Sequence, residues 1–153
     1  MPFVTSMVAI CVILAPEFGV TERALEIERL KIVQNEKFGQ YLGDQTGKPL
    51  YVFSEDKQSA LGTSAQSTCY GSCARTWPPV VGNPEKAAGV GGKLALFERK
   101  DRQKQLSYAG WPLYYYSVDI GGGARPSGQG KIDHGGSWSL LRTDGTLVPG
   151  STP

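Results

Sequence analysis

A chain of 153 residues, 40% hydrophobic and 20% charged, has the length of about one domain and the composition of an ordinary soluble globular protein. Its net charge of +2, with basic residues scattered along the chain, excludes the strongly basic face of a nucleic-acid binder. The 20 glycines and 10 prolines predict many turns and short elements in place of long helices.

The chain opens on an apolar, uncharged run from Pro2 to Ala15, closed by Pro16 and Glu17. It is too short for a transmembrane span, because a helix crossing a bilayer needs about 20 apolar residues. Its length suits the apolar core of an export signal. Yet no Lys or Arg precedes Arg23, and Pro16 stands beside the cleavage point expected after Ala15. Residues 1–20 are therefore read as a degenerate or truncated export segment, with a buried first segment as the alternative. Cys11 lies in this run, behind Ile10, where a lipoprotein box requires a small residue.

Next, Leu25 to Val33 fits both helix and strand. Phe38 to Leu42 reads as a strand, Asp44 to Gly47 as a turn, and Pro49 to Ser54 as the second strand of a hairpin. Asp56 to Ser67 is polar and small, hence a loop. Trp77-Pro78-Pro79-Val80 lacks two amide donors and is kept out of a central strand or a helix interior. Val81 to Gly92 reads as a linker. A second series follows, with strands at Leu94–Phe97, Leu106–Tyr108 and Pro112–Ser117. The basic run Arg99 to Lys104 between the first two is read as a solvated turn. Ile120 to Gly130 is a glycine-rich loop. Ser137–Arg142 and Thr146–Val148 close the chain around an Asp144-Gly145 hairpin turn.

The two series share a signature. Gly47 to Asp56 and Gly110 to Asp119 both read Gly-x-Pro-Leu-Tyr-x-(Phe/Tyr)-Ser-x-Asp, seven of ten places agreeing at an offset of 63 residues. Trp77 and Trp138 repeat at 61. A period near sixty marks two copies of one supersecondary unit. The expected fold is all-β: two pseudo-symmetric β-rich repeats, about 30–82 and 93–148. They form one compact domain over 21–148, with a short N-terminal apolar extension and a tail at 149–153.

Strand alternation puts Tyr51 and Phe53 on one face and Leu50 and Val52 on the other; Tyr114 and Tyr116 likewise oppose Leu113 and Tyr115. Asp56 and Asp119 lie just past the strand ends, where Asp accepts bonds from turn amides. Two readings follow. One is an aromatic core layer with an Asp cap, joined by Trp77 and Trp138. The other is a ligand or ion site built from both copies, Tyr51, Phe53, Asp56, Tyr114, Tyr116 and Asp119, with Trp77 and Trp138. Tyr70, Trp111 and Tyr115 are candidate exposed contacts, since aromatic side chains give large contact area at low entropic cost.

The doubled Tyr-x-(Phe/Trp/Tyr)-x-x-Asp motif flanks Cys69-Tyr70-Gly71-Ser72-Cys73-Ala74-Arg75-Thr76-Trp77-Pro78-Pro79. In this it resembles the bacterial secreted-repeat lipoproteins of unknown function, over roughly Leu30 to Val148. The resemblance implies an exported, β-rich, two-repeat protein of the cell envelope, anchored in members of the family through an N-terminal lipid on cysteine. It implies no reaction, substrate or cofactor.

Given export, Cys69 and Cys73 are first read as a structural disulfide. The alternatives are a reactive thiol pair and a copper or zinc site with His134 as third ligand. No set of nucleophile, base and oxyanion donors assembles from this sequence, so no enzyme is expected. The expected role is a non-catalytic envelope module that scaffolds or binds an envelope component or small ligand. The alternative is a thiol-redox or copper-handling protein acting through Cys69 and Cys73.

Overall fold

The computed structural model describes residues 26–121 and 125–150. The export-segment reading of 1–20, Cys11 and the last three residues of the tail lie outside the described residues.

The elements in chain order are β1 (Arg29–Asn35), β2 (Gly39–Gly43), β3 (Tyr51–Phe53), α1 (Ser72–Thr76), β4 (Glu85–Lys86) and β5 (Leu94–Glu98). They continue with β6 (Lys104–Tyr108), β7 (Trp111–Pro112), α2 (Ser117–Ile120), β8 (Ile132–Asp133) and β9 (Gly136–Leu140). Three small sheets result, in the orders β2-β1-β4, β3-β9-β8 and β5-β6-β7. The fold is a compact all-β one, with two helices of a single turn among the described residues.

Local chemistry explains the hairpins. Asn35 Oδ1 accepts the amides of Lys37 and Phe38 at 2.9 and 3.1 Å and closes the β1–β2 turn. Asp44 Oδ1 does the same for Thr46 and Lys48 at 2.8 and 2.9 Å, before β3. From Arg29 to Val33 the ambiguous stretch resolves as strand because β1 pairs antiparallel with all of β2, Lys31 opposite Gly43 and Asn35 opposite Gly39. Tertiary pairing, not propensity, decides it.

Three expectations are corrected. The 81–92 stretch is more than a linker: its Glu85–Lys86 forms β4, parallel to β1, and Val90 is buried in the core. The strand expected over 112–117 is shorter: β7 ends at Pro112, Tyr114 makes isolated bridges to Tyr51 and Pro79, and Ser117 starts a helical turn. Arg99 is not solvated; only 3% of it is exposed, because position 99 shares the inward face of Phe97.

The motif strands lie side by side at the centre. Tyr51 and Tyr114 exchange both backbone hydrogen bonds at 2.9 Å. Leu50, Val52, Leu113 and Tyr115 point into one apolar cluster, with Ile27, Leu30, Leu42, Leu106 and Leu141. Tyr51, Phe53, Tyr114 and Tyr116 point into a second, aromatic cluster on the other side. The tryptophan segments cross over. β3 pairs antiparallel with β9, Tyr51 opposite Leu140 and Phe53 opposite Trp138. In the other direction, the Val80 amide donates to the Leu113 carbonyl and the Tyr115 amide to the Pro78 carbonyl. Likewise Leu42 N–H bonds the Leu141 carbonyl, and Leu106 N–H bonds the Val80 carbonyl. Each half closes its strands with the other half's tryptophan segment.

Candidate functional site

The repeated residues converge on the aromatic cluster. Trp77 and Trp138 stack parallel at 3.9 Å between ring centroids, with an interplanar angle of 1°. Phe53 stacks on Trp138 at 4.3 Å and Tyr116 on Trp77 at 4.2 Å. The order Phe53, Trp138, Trp77, Tyr116 thus alternates between the halves. Tyr51 meets Trp77 edge-on at 5.4 Å, and Tyr114 meets Trp138 edge-on at 5.2 Å. Edge-on and offset-stacked pairs are the favoured aromatic geometries.

The two aspartates are exchanged in the same way. Tyr51 Oη donates to Asp119 Oδ2 at 2.5 Å, and Tyr114 Oη donates to Asp56 Oδ2 at 2.6 Å. Each remaining oxygen binds the loop that follows its own motif. Asp56 Oδ1 accepts the Thr68 amide at 2.8 Å and the Thr68 hydroxyl at 3.0 Å. Asp119 Oδ1 accepts the Ser127 amide at 3.3 Å and the Ser127 hydroxyl. The Gly128 amide donates to Tyr51 Oη at 3.1 Å. Gly128 has no room for a side chain: a Cβ there would stand 2.8 Å from the Trp77 ring. So the aspartates cap loops 12 and 8 residues onward, farther than the immediate turns the sequence suggested.

Burial decides what this arrangement can do. Asp56 is 7% and Asp119 3% exposed, and Tyr51, Tyr114, Trp77 and Trp138 are fully buried. Burial raises the Tyr51 and Tyr114 hydroxyls far above their ordinary value near 10, reinforced by the aspartate each one faces. Burial likewise raises Asp56 above the usual carboxylate range, against the donors from Tyr114 and Thr68 and the charge of Arg99. The hydroxyls stay neutral donors at physiological pH. The constellation is a buried lock between halves, in which each motif tyrosine is bonded to the other half's aspartate.

Sequence reasoning missed the polar scaffold beside it. The Arg99 guanidinium donates to Ser67 Oγ at 3.0 Å, Gln105 Oε1 at 2.6 Å and the Cys69 carbonyl at 2.7 Å, and lies 4.5 Å from the Tyr70 ring centre. Ser67 Oγ in turn lies 2.7 Å from Tyr114 Oη. Strand alternation around Phe97 was the one signal for Arg99; nothing local marks Gln105 or Ser67. In the first half Tyr41 stands 64 residues before Gln105, and among the described residues its buried hydroxyl has no hydrogen-bond partner. Burial, then the Asp119 charge, raises that hydroxyl too.

The remaining candidates separate. Cys69 and Cys73 are joined by a disulfide whose residues are 0% and 6% exposed. His134 sits in the β8–β9 turn beside Asp133, 3.5 Å away. Among the described residues no three His, Cys, Asp or Glu side chains converge as a metal set, so His134 does not join the cysteines. Tyr115 is corrected: it is 2% exposed, its hydroxyl 3.3 Å from Asp44 Oδ2, and so offers no contact surface. Tyr70 and Trp111 are half-buried.

The tryptophan stack carries a large share of stability. Trp77→Ala is expected to cost about 3–5 kcal/mol by loss of burial and cavity formation. Urea unfolding followed by far-UV circular dichroism measures it; a cost below 1 kcal/mol would mean the stack is ornamental.

Exchanged strands, a shared aromatic stack and crossed Tyr–Asp bonds define an all-β repeat protein with an interlocked core. Residues 32–81 match the family described as a secreted repeat of unknown function, from within β1 to just past the first tryptophan segment. The stretch carries that secreted repeat, and its localisation is extracytoplasmic. The second motif copy, 110–119, lies outside the matched stretch. No curated protein and no solved structure is significantly similar to the chain. Among the described residues no helix is long and apolar enough to cross a membrane.

Proposed function

We propose that the protein is a non-catalytic module of the cell envelope or its exterior, with a scaffolding and binding role. Its Tyr/Asp/Trp motif holds two repeats in one pseudo-symmetric domain. The supporting observation is that both Tyr–Asp pairs are buried, each carboxylate accepting three hydrogen bonds from protein donors. An acid–base pair needs access to its reacting proton, and this one has none. On this reading Tyr70 and Trp111 are retained as partial contacts, and the module works without a cofactor. A lipid on a cysteine near the N-terminus, as in the resembling lipoproteins, would tether it to a membrane.

The thiol-redox or copper alternative draws no support from the cysteines, since the two sulfurs are bonded to each other and shielded. A structural bond over so short a loop adds about 2 kcal/mol in the chain-entropy model. Cys73→Ser should therefore lower urea-unfolding stability by about that amount. The variant should still restore the envelope phenotype of a deletion strain. Loss of that restoration with unchanged stability would overturn the scaffold reading and move the thiol chemistry forward.

A further inference from the structure

The two halves treat one strand edge differently. In the first half the outer edge of β1 is covered: β4 runs parallel to it, with Arg29 opposite Glu85 and Leu30 opposite Lys86. The Glu85 amide bonds the Glu28 carbonyl at 3.0 Å, and the Ala87 amide bonds the Leu30 carbonyl at 2.9 Å. Arg29 and the Glu85 carboxylate meet at 3.3 Å. In the second half β5 stands in the corresponding place. The pair Ala95–Ser107 in β5–β6 lies 64 residues on from Lys31–Gly43 in β1–β2. By that register Lys93 answers to Arg29 and Leu94 to Leu30.

No strand among the described residues pairs with the outer edge of β5. The ladder is bracketed by Arg99 N–H to the Gln103 carbonyl and Ala109 N–H to the Lys93 carbonyl, both 2.9 Å. Odd-numbered residues therefore bond β6, and the backbone groups of Leu94, Leu96 and Glu98 face outward. Leu96 is 44% exposed, and Lys93 is exposed at the strand's entrance. A groove lies between the 59–67 loop and the β5–β6 hairpin, lined by Ser59 and Ala65 from the loop and by Lys93, Leu96, Ser107 and Gly110 from the hairpin and the turn after it. A second groove, which shares Ala65, is lined by Tyr70, Glu98 and Lys100. An open, partly apolar edge is a template for another strand.

We infer that the β5 edge binds an extended, acidic peptide segment of a partner protein by strand addition. An acidic side chain would face Lys93 as Glu85 faces Arg29, and an apolar one would cover Leu96. Main-chain bonds to Leu94, Leu96 and Glu98 supply affinity, and the lysine supplies the sign preference. The five residues of β5 span about 17 Å, room for a pentapeptide. The inference names a surface for the binding role proposed above and rests on that reading.

The test uses the full chain, labelled with nitrogen-15, and a capped pentapeptide alternating valine and glutamate. Saturable amide shifts confined to 93–100 and 59–67 are expected, weaker for the valine–lysine counterpart and absent for the backbone N-methylated peptide. In Lys93→Glu, which changes an exposed side chain, the acidic and basic peptides should exchange rank. No shifts at millimolar peptide, equal shifts from the N-methylated peptide, or an unchanged rank in Lys93→Glu would each overturn the inference. So would concentration-dependent β5 shifts without peptide, which would assign the edge to a second copy. Any of these would leave the scaffold reading standing, because that reading depends on the buried core and not on this edge.

Discussion

Cut between Gly91 and Gly92, the protein is expected to give two halves that are each unfolded alone and that fold when mixed. The reason is the crossover of the tryptophan segments. Without the second half, β3 loses its sheet partner β9, and Tyr51 loses both its backbone partner Tyr114 and its carboxylate Asp119. Without the first half, Tyr114 loses Asp56, and residues 113–115 lose their bonds to 78–80. Each half would also expose its share of the aromatic stack. Every large apolar side chain returned to water costs about 1.5–3 kcal/mol. The two stacked rings that each half carries thus cost about 3–6 kcal/mol, comparable with the 5–15 kcal/mol by which a native domain exceeds its unfolded state. Circular dichroism of each fragment and of the equimolar mixture measures this. A native-like spectrum from either fragment alone would show that the repeats are independent units.

The second large effect is alkaline unfolding. Burial pushes the hydroxyls of Tyr51, Tyr114 and Tyr115 well above 10 in the folded state, with Asp119, Asp56 and Asp44 adding to it. In the unfolded chain they titrate near 10. A raised folded pKa means that the stability from these neutral hydroxyls is whole below pH 10. It is lost as pH climbs from 10 toward the folded values, because the unfolded chain has released protons that the folded one keeps. Each such tyrosine removes about 1.4 kcal/mol per pH unit in that window, so three remove about 4 kcal/mol per unit. The tyrosinate absorbance of Tyr51, Tyr114 and Tyr115 should stay suppressed and then appear in one cooperative step, coincident with loss of ellipticity, about one to three units above pH 10. Tyr115→Phe should make the step less steep by one proton. A gradual rise centred near 10, with ellipticity intact, would contradict the buried hydroxyl bonds.

Much of this centre was legible because β-strand geometry is periodic. Two-residue alternation alone separates Tyr51, Phe53, Tyr114 and Tyr116 from Leu50, Val52, Leu113 and Tyr115, and the structure puts the two sets in different clusters. The limit of the same rule shows at Tyr115. Alternation says that it opposes Tyr114, but not whether its side faces solvent or a second core, and a second core is what lies there. Arg99 fails for a related reason. Its neighbours in sequence are polar and exposed, while its partners Ser67, Cys69 and Gln105 arrive from elsewhere in the chain. Likewise β4 is two residues long, and it becomes a strand only because β1 offers an edge.

By itself, then, the sequence determined that the chain is β-rich, that one motif occurs twice with its tryptophans, and which residues of each motif share a face. These follow from composition and local spacing, which act within a few residues. Only the tertiary structure decided that each tyrosine bonds the other copy's aspartate and that the tryptophan segments change places. It also decided that the motif lies in a buried core and that β5 keeps an open edge. Those pairings join residues far apart in the chain, from 26 positions between Val80 and Leu106 to 99 between Leu42 and Leu141. Their pairing is selected by burial of the whole aromatic face at once, and no local preference records it.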